Sequence, residues 1–196
     1  MRQPERVVLD GRTVRIEPLE PRHAPELLLA AADPEIWLYL PVSQPAALPE
    51  MEGFIAAALG EPDQLPFAII SQESGRAIGS TRFLEIRPAD RALEIGWTWY
   101  ARAAQRTAAN TECKYLLLDH AFGTLGAQRV QFKTDRRNVR SQRALERIGA
   151  VQEGILRKHR VLHDGYVRDS VYYSILDDEW PAVRLRLEEL LRRGEE

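Results

Sequence analysis

The stretch that decides the fold is LEIGWTWYARAAQRTAANTECKYLLL, which spans residues 93–118. Its beginning belongs to a run of β-forming residues, 92–100, that predicts a strand. Its end starts a second run, 111–122, whose apolar side chains recur at helical spacing and predict a helix. The connection, 105–111, carries small and polar side chains that leave its backbone N–H groups accessible. Because the first amides of a helix lack internal partners and lie at the positive end of its dipole, this connection suits a pyrophosphate.

An ordinary turn is the alternative for the same connection. Many strand–loop–helix turns have this composition, and Asn110 or Thr111 would then serve only to cap the helix. Residue chemistry alone leaves both possibilities open.

The sequence around this stretch predicts a mixed α/β fold. Turn residues separate the predicted strands, which are 13–19, 66–71, 77–86, 92–100, 129–134, 151–162 and 166–176. The predicted helices are 21–32, 50–59, 111–122, 139–148 and 177–193, and a short helix followed by a loop is expected over 35–48. Three strands form an antiparallel meander, and Asp164-Gly165 joins the last two in a hairpin. We therefore expect one domain, residues 1–196, with a single mixed, mostly antiparallel twisted sheet flanked by helices.

The composition restricts the class of protein. Of 196 residues, 44% are hydrophobic, which suits a globular domain with a sizeable core. The formal net charge of -2 gives no global argument for nucleic acid or an anionic membrane. A lone cysteine, Cys113, excludes an internal disulfide, and the histidine spacing predicts no metal site. Because no apolar run reaches about 18 residues, we expect a cytoplasmic protein that binds neither membrane nor DNA.

Two motifs resemble the acetyl-CoA signatures of the GNAT acetyltransferases. The connection reads QRTAAN over 105–110 and is similar to the Gln/Arg-x-x-Gly-x-Gly/Ala loop of that family. The segment 138–150, NVRSQRALERIGA, resembles the second signature, in which Asn-x-x-Ser leads into a helix. The resemblance extends over a core of about 11–181 and a C-terminal helix of about 178–193. The subgroup that it resembles most is the ribosomal-protein N-terminal acetyltransferases of the Rim type.

The resemblance implies an enzyme that passes an acetyl group from acetyl-CoA directly to a primary amine in a ternary complex. It implies that two central strands, 94–100 and 129–134, splay apart and pair with the pantetheine arm as with a missing strand. A backbone N–H near 97–99 would stabilise the oxyanion. The cofactor-binding residues that it implies are Trp97, Thr98, Trp99, Gln105, Arg106, Thr107, Ala108, Ala109, Asn110, Thr111, Asn138 and Ser141.

The sequence departs from the family pattern at two places. Ala108 stands where the loop usually has its first Gly, and Ala150 stands where an aromatic residue usually follows Gly149. Alanine adopts helical dihedrals, so the loop tolerates it unless φ is positive there. These departures keep a second class of function open, a non-catalytic acyl-CoA-binding regulatory module.

Glu94 and Ser141 are the candidate catalytic residues. Glu94 lies in the strand before the connection and is either the general base or an ordinary strand carboxylate. The resemblance implies that Ser141 protonates the leaving thiolate, whereas the alternative is that Asn138 caps the helix and Ser141 lies in its first turn. Three arginines share one face of that helix, and they are either solvated or bound to the CoA 3′-phosphate or to RNA: Arg140, Arg143 and Arg147.

The acceptor is predicted to be a protein N-terminal α-amine, and polyamines, amino acids and aminoglycosides are the alternatives. Trp37 and Tyr39, in the irregular early segment, are candidate acceptor-binding residues, and the resemblance adds Tyr166 and Asp169 from the closing hairpin. The terminal helix could dock on its own sheet or on a second subunit, which leaves a homodimer open.

Overall fold

The computed structural model describes residues 1–193 and contains one eight-stranded sheet. Its strands are β1 Leu9–Asp10, β2 Val14–Pro18, β3 Leu65–Ser71, β4 Ala77–Arg87, β5 Ala92–Tyr100, β6 Arg129–Asp135, β7 Val151–Val161 and β8 Val167–Leu176. They lie in the order β1-β2-β3-β4-β5-β6-β8-β7. Within the described residues, β5 and β6 form the one parallel pair, and the other neighbours are antiparallel. The predicted mixed, mostly antiparallel sheet is confirmed.

Helices cover both faces of this sheet. They are α1 Ala24–Ala30, α2 Leu48–Gly60, α3 Ala108–Asp119, α4 Val139–Ile148 and α5 Trp180–Arg193. Along β3 the side chains alternate between faces, so Phe67 and Ile69 join one apolar cluster while Ala68 and Ile70 join another. The first cluster contains the buried faces of α3, α4 and α5, and the second contains those of α1 and α2.

Most predicted elements agree with the structure within a few residues, and the bounds of β5 and α4 agree fully. The strand β1 has no counterpart among the predicted elements, and over 35–48 the helical part is limited to a short 3₁₀ turn, Pro34–Ile36. The last helix begins at Trp180, after a turn in which Glu179 Oε2 accepts the Leu176 N–H at 2.9 Å. The final three residues of the predicted domain lie outside the described residues. Within the described part of the chain, no helix has both the length and the apolar character that crossing a membrane requires.

The central strands separate because the ladder between β5 and β6 is short. Over the described residues it consists of three pairs, Ala92–Arg129, Leu93–Val130 and Glu94–Gln131. Beyond Glu94, β5 carries an extra residue relative to β4, since Ser80 pairs with Trp99 and Arg82 with Gly96.

This β-bulge coincides with a left-handed residue, Trp97, whose φ is 50°. It bends β5 away from β6 and leaves a gap in the middle of the sheet. The predicted splaying is confirmed.

Gly79 lets β4 and β5 approach closely beside this bulge. A Cβ atom there would collide with the backbone carbonyl of Trp99. We expect Gly79→Ala to lower the free energy of unfolding by roughly 1–3 kcal/mol in urea denaturation, because one strand must shift.

The matched control is Gly53→Ala in α2, where an added Cβ meets nothing within 4 Å. There the better helix propensity of alanine should raise the free energy of unfolding by roughly 0.5–1 kcal/mol. If both substitutions changed the free energy of unfolding equally, the close approach of β4 and β5 at Gly79 would be contradicted.

Candidate active site

A cleft of about 960 Å³ opens where β5 and β6 separate. Most of the residues predicted to bind the cofactor line it, namely Trp97, Thr98, Trp99, Gln105, Arg106, Thr107, Asn110, Asn138 and Ser141. Ala108, Ala109 and Thr111 are not among the lining residues, and the side chains of the last two are buried. The structure therefore brings the two motifs together around one gap in the sheet.

The connection predicted as an anion site ends earlier than expected, since α3 begins at Ala108. Its cap is Thr107, whose Oγ1 accepts the Ala109 N–H at 3.2 Å, and neither Asn110 nor Thr111 caps the helix as the alternative required. The left-handed residue of the connection is Arg106, with a φ of 64°, so Ala108 keeps an ordinary helical conformation. The free amides of the first turn of α3 lie beside the cleft, where the helix dipole favours an anion.

Three backbone amides fix the direction of α3. The buried carboxylate of Glu112 accepts the N–H groups of Arg12 at 2.8 Å, Thr13 at 2.7 Å and Val14 at 2.7 Å. These bonds join the helix to the start of β2 and hold its first turn at the mouth of the cleft.

The mouth beside α3 is rich in arginine. Arg106, Arg140, Arg143 and Arg147 all line it, and we call this part of the cleft the basic end. Arg140 Nη1 donates to Gln105 Oε1 at 2.8 Å, and Arg147 Nη2 donates to Thr111 Oγ1 at 2.7 Å. The shared face of α4 thus points at the cleft, where its guanidinium groups suit phosphate oxygens.

Asn138 and Ser141 lie where α4 begins, and both line the cleft. Asn138 Oδ1 accepts the Ser141 N–H at 3.0 Å, so Asn138 caps the helix as the alternative reading required. A capping role is compatible with a role in the cleft, because the same bond fixes the Ser141 position relative to the gap.

Glu94 lies at the other end of the gap, 1% exposed, and its carboxylate already has partners. Gln131 Nε2 donates to Glu94 Oε2 at 3.1 Å, and Lys133 Nζ lies 3.1 Å from the same oxygen. Burial raises the pKa of Glu94, while Lys133 and the Gln131 bond act against that rise.

Lys133 also donates to Glu85 Oε1 at 2.8 Å and so bridges two carboxylates. Burial alone would lower the pKa of Lys133, but Glu94 and Glu85 together raise it. Glu94 is therefore a buried carboxylate in an ion pair, and the net effect of its surroundings is a pKa above the ordinary value.

Carboxylates continue along this end of the cleft. Glu61 and Asp63, in the turn after α2, line it together with Glu85, and we call this part the acidic end. The wall formed by β7 and β8 adds Arg160 and Arg168. Sequence patterns gave no sign of Glu61 and Asp63, because only the folded chain brings that turn beside β5.

Of the four predicted acceptor-binding residues, the structure places one in the cleft wall, Tyr39. Trp37 is 2% exposed, packs 5.4 Å from the Trp99 ring and donates its Nε1–H to the Ala31 carbonyl at 3.0 Å, so it is a core residue. Tyr166 is exposed, and the guanidinium of Arg137 stacks on it at 3.3 Å. Asp169 accepts the Lys158 N–H at 2.8 Å and lies outside the lining.

The sequence reasoning missed a buried lysine in the floor of the cleft. Lys114 Nζ donates to Thr98 Oγ1 at 3.0 Å, and Thr98 Oγ1 in turn lies 2.7 Å from Thr81 Oγ1. Burial lowers the pKa of Lys114 from its ordinary 10.5 to about 8. The signal was a single charged residue in the otherwise apolar run 113–118.

The depressed pKa of Lys114 gives the protein a pH-dependent stability. Between about pH 8 and pH 10.5 the unfolded chain binds more protons at this residue than the folded chain, so stability rises with pH through that window. Replacing the charge by Lys114→Met should therefore raise the free energy of unfolding at pH 7, by roughly 2–3 kcal/mol. At pH 9.5 the gain should be about half as large in the same urea denaturation.

Lys158→Met, at an exposed lysine, is the control and should change the free energy of unfolding little at either pH. If Lys114→Met raised the free energy of unfolding equally at pH 7 and pH 9.5, the pKa of Lys114 would not be lowered by burial.

Comparisons with known proteins agree with this geometry. Residues 13–151 match the family described as "Acetyltransferase (GNAT) domain". The "Probable N-acetyltransferase YjcK" of Bacillus subtilis (strain 168) is 29% identical over 182 residues, which cover 88% of this chain and 99% of that protein.

Solved structures show the same arrangement. A GCN5-related N-acetyltransferase from Brucella melitensis superposes with a TM-score of 0.92 at 35% identity, over 96% of this chain and 86% of that one. RimJ of Mycobacterium smegmatis, solved in complex with CoA-disulfide, shares the fold with a TM-score of 0.79 at 22% identity, over 94% of this chain and 93% of that one. The chain therefore belongs to the GNAT acetyltransferase family and is an acyl-CoA-dependent N-acetyltransferase that uses acetyl-CoA as its co-substrate.

Proposed function

We propose that this enzyme acetylates the α-amine of a protein N-terminus, as the Rim-type members of the family do. The observation that carries the proposal is that Oε2 of Glu94, the buried carboxylate at the gap, is already engaged by Gln131 and Lys133, so a proton from the acceptor has to displace one of these contacts. An α-amine with a pKa of about 8 is about one tenth neutral at pH 7, whereas a lysine amine near 10.4 is neutral in roughly one molecule in two thousand. A site whose buried carboxylate is already engaged by two donors suits the acceptor that needs the least deprotonation.

The acidic end of the cleft supports an amine as acceptor. Glu61, Asp63 and Glu85 line this part of the cleft together with Glu94, and their carboxylate oxygens can accept hydrogen bonds from the ammonium group of an acceptor. In this proposal the ammonium arrives at the acidic end, and its proton leaves towards Glu94 or water before reaction.

The basic end supports the placement of acetyl-CoA. The pyrophosphate would lie against the first-turn amides of α3, between Arg106 and the arginines of α4. The pantetheine would follow the unpaired edge of β5 from Tyr100 towards the bulge. This placement puts the thioester near Trp97 and Thr98, next to the acceptor amine.

The chemistry then needs two proton movements and one acyl transfer. The neutral amine attacks the thioester carbonyl carbon, a C–N bond forms, and a backbone N–H at the bulge stabilises the oxyanion. The C–S bond breaks, the CoA thiolate leaves, and the Ser141 hydroxyl protonates it while taking a proton from water. Glu94 or water takes the proton that the amine nitrogen loses.

The acceptor is tested with a panel of amines and a thiol-release assay. We expect peptides with a free N-terminus to be acetylated with a kcat/KM at least about tenfold above that of polyamines, aminoglycosides or N-blocked peptides with an internal lysine.

In Glu94→Gln, the pH dependence of kcat/KM should lose the limb that belongs to the carboxylate, while CoA binding stays unchanged.

If polyamines turned over faster than peptides, the proposed N-terminal acceptor would be rejected in favour of a small amine. CoA binding without thiol release for any amine would indicate a regulatory module instead of an enzyme.

The cofactor placement is tested at the first turn of α3. A carboxylate introduced by Ala108→Glu would face the pyrophosphate, and like charges in such contact cost several kcal/mol. We expect the Kd for CoA, measured by calorimetry, to rise at least about tenfold. Ala56→Glu, at an exposed position of α2, is the control and should leave the Kd unchanged. If the Kd for CoA were unchanged in Ala108→Glu, the proposed position of the pyrophosphate at this turn would be wrong.

A further inference from the structure

Besides Lys114, a second basic side chain is buried near the bulge at Trp97, and it has few hydrogen-bond partners. Arg82, on β4, is 4% exposed, and its recorded hydrogen bond runs from Nη1 to Gln64 Oε1 at 2.9 Å. Its Nε is buried without a partner among the described residues. Burial lowers the pKa of Arg82 to about 10, so the group still carries its charge at neutral pH.

Two aromatic rings hold this guanidinium in place. Its central carbon lies 4.2 Å from the ring centre of Trp97 and 5.3 Å from that of Phe54. Such stacking stabilises a cation but leaves the N–H groups at the rim of the guanidinium for other partners. Among residues 1–193, no carboxylate lies within ion-pair distance of Arg82. A buried cation of this kind is costly, and such groups concentrate at functional sites.

Arg82 lines a smaller cavity of about 400 Å³. Phe54 and Trp97 supply apolar walls, and residues 42–45 close one side. Two carboxylates also line it: Glu50 accepts the Ala46 N–H, and Glu61 acts to raise the pKa of Arg82. The cavity is therefore large enough for a small polar group and presents one fixed cation to it.

This cavity adjoins the acidic end of the cleft. Glu61, Gln64 and Trp97 line both spaces, and Trp97 is the left-handed residue of the bulge. An acceptor whose amine reaches the thioester at the bulge therefore has the remainder of its structure beside Trp97, within reach of Arg82.

We propose that Arg82 and Gln64 form a subsite for a carboxylate carried by the acceptor, close to its amine. The inference rests on the proposed function for the position of the amine. In a peptide the carboxylate would be an acidic side chain that follows the N-terminal residue, and in a free amino acid it would be the α-carboxylate. Glu61, at the junction, then faces the ammonium group while Arg82 faces the carboxylate. The planar fork of arginine is suited to this group, since it can donate two parallel hydrogen bonds to a carboxylate.

The experiment compares acceptors in pairs that differ only by a carboxylate and an amide. The pairs are a Ser-Glu and a Ser-Gln peptide with amidated C-termini, a free amino acid and its amide, and 4-aminobutanoate and 4-aminobutanamide. Charge-assisted hydrogen bonds of this kind correspond to a preference of roughly 10- to 100-fold in kcat/KM for the carboxylate member.

Arg82→Met keeps an unbranched chain that can pack between the two aromatic rings and removes the charge. It should bring the ratio within each pair close to one, chiefly by raising KM for the carboxylate member. Arg82→Lys should restore part of the ratio, because it keeps the charge without the fork. Arg87→Met is the control, because Arg87 is exposed at the end of the same strand and pairs with Asp90. Its ratios should match those of the wild type.

A purely structural role for Arg82 gives a different result. If Arg82 only supports the bulge through Trp97, Arg82→Met should lower kcat for both members of each pair and leave their ratio intact, which would overturn the subsite. A wild-type ratio near one in every pair overturns it as well, and this measurement does not depend on any variant folding.

The pairs also separate this inference from the proposed function. An Arg82-dependent preference confined to free amino acids would support the subsite and reject the protein N-terminus as acceptor. Efficient acetylation of both peptides without a preference would support the N-terminal acceptor and reject the subsite. No turnover in any pair would reject both.

Discussion

The site depends on how early the ladder between β5 and β6 ends. Three backbone pairs hold the strands together up to Glu94, and then the bulge at Trp97 turns β5 away. The amides and carbonyls beyond that point face a gap, so the sheet offers an unpaired edge in its middle, where a ligand can reach it. Gly79 permits this geometry, because a side chain on β4 would collide with the bent strand.

The helices on either side of the gap are held by polar contacts that come from distant parts of the chain. Glu112 binds α3 to the amides of residues 12–14, almost a hundred positions away, and Arg140 links α4 to the connection before α3. Hydrogen bonds to an ionised, buried carboxylate are stronger than neutral ones, so the first turn of α3 has little freedom to move. The amides proposed to bind the pyrophosphate are therefore held in place by the fold itself.

The spacing of apolar side chains along the sequence predicted the features that depend on it, which are the strands and helices and their bounds. Period-two and helical spacing gave the bounds of β5 and α4, the order of elements gave a mixed sheet, and the family resemblance implied its splayed strands. The cap of α3 was misplaced because Thr107 lies before the apolar run from which the helix was recognised.

Side-chain positions that depend on the folded chain could not be predicted in this way. Trp37 is an aromatic residue in an irregular segment, a description that fits both a site residue and a core residue, and only its packing on Trp99 decides. Arg82 and Lys114 appear in sequence as single charges. The burial of Arg82 follows from the register of β4 and β5, and that of Lys114 follows from the packing of α3 on Thr98 of β5.

The separation of charge along the cleft has a consequence for the order of events during turnover. In the proposed placement the donor, a polyanion, lies at the basic end and the acceptor amine lies beside Glu94, so each reactant approaches the gap from its own end of the cleft. Neither reactant then has to pass the other on its way in. Because acylation removes the positive charge of the acceptor, the same placement lets the neutral amide leave while CoA is still bound.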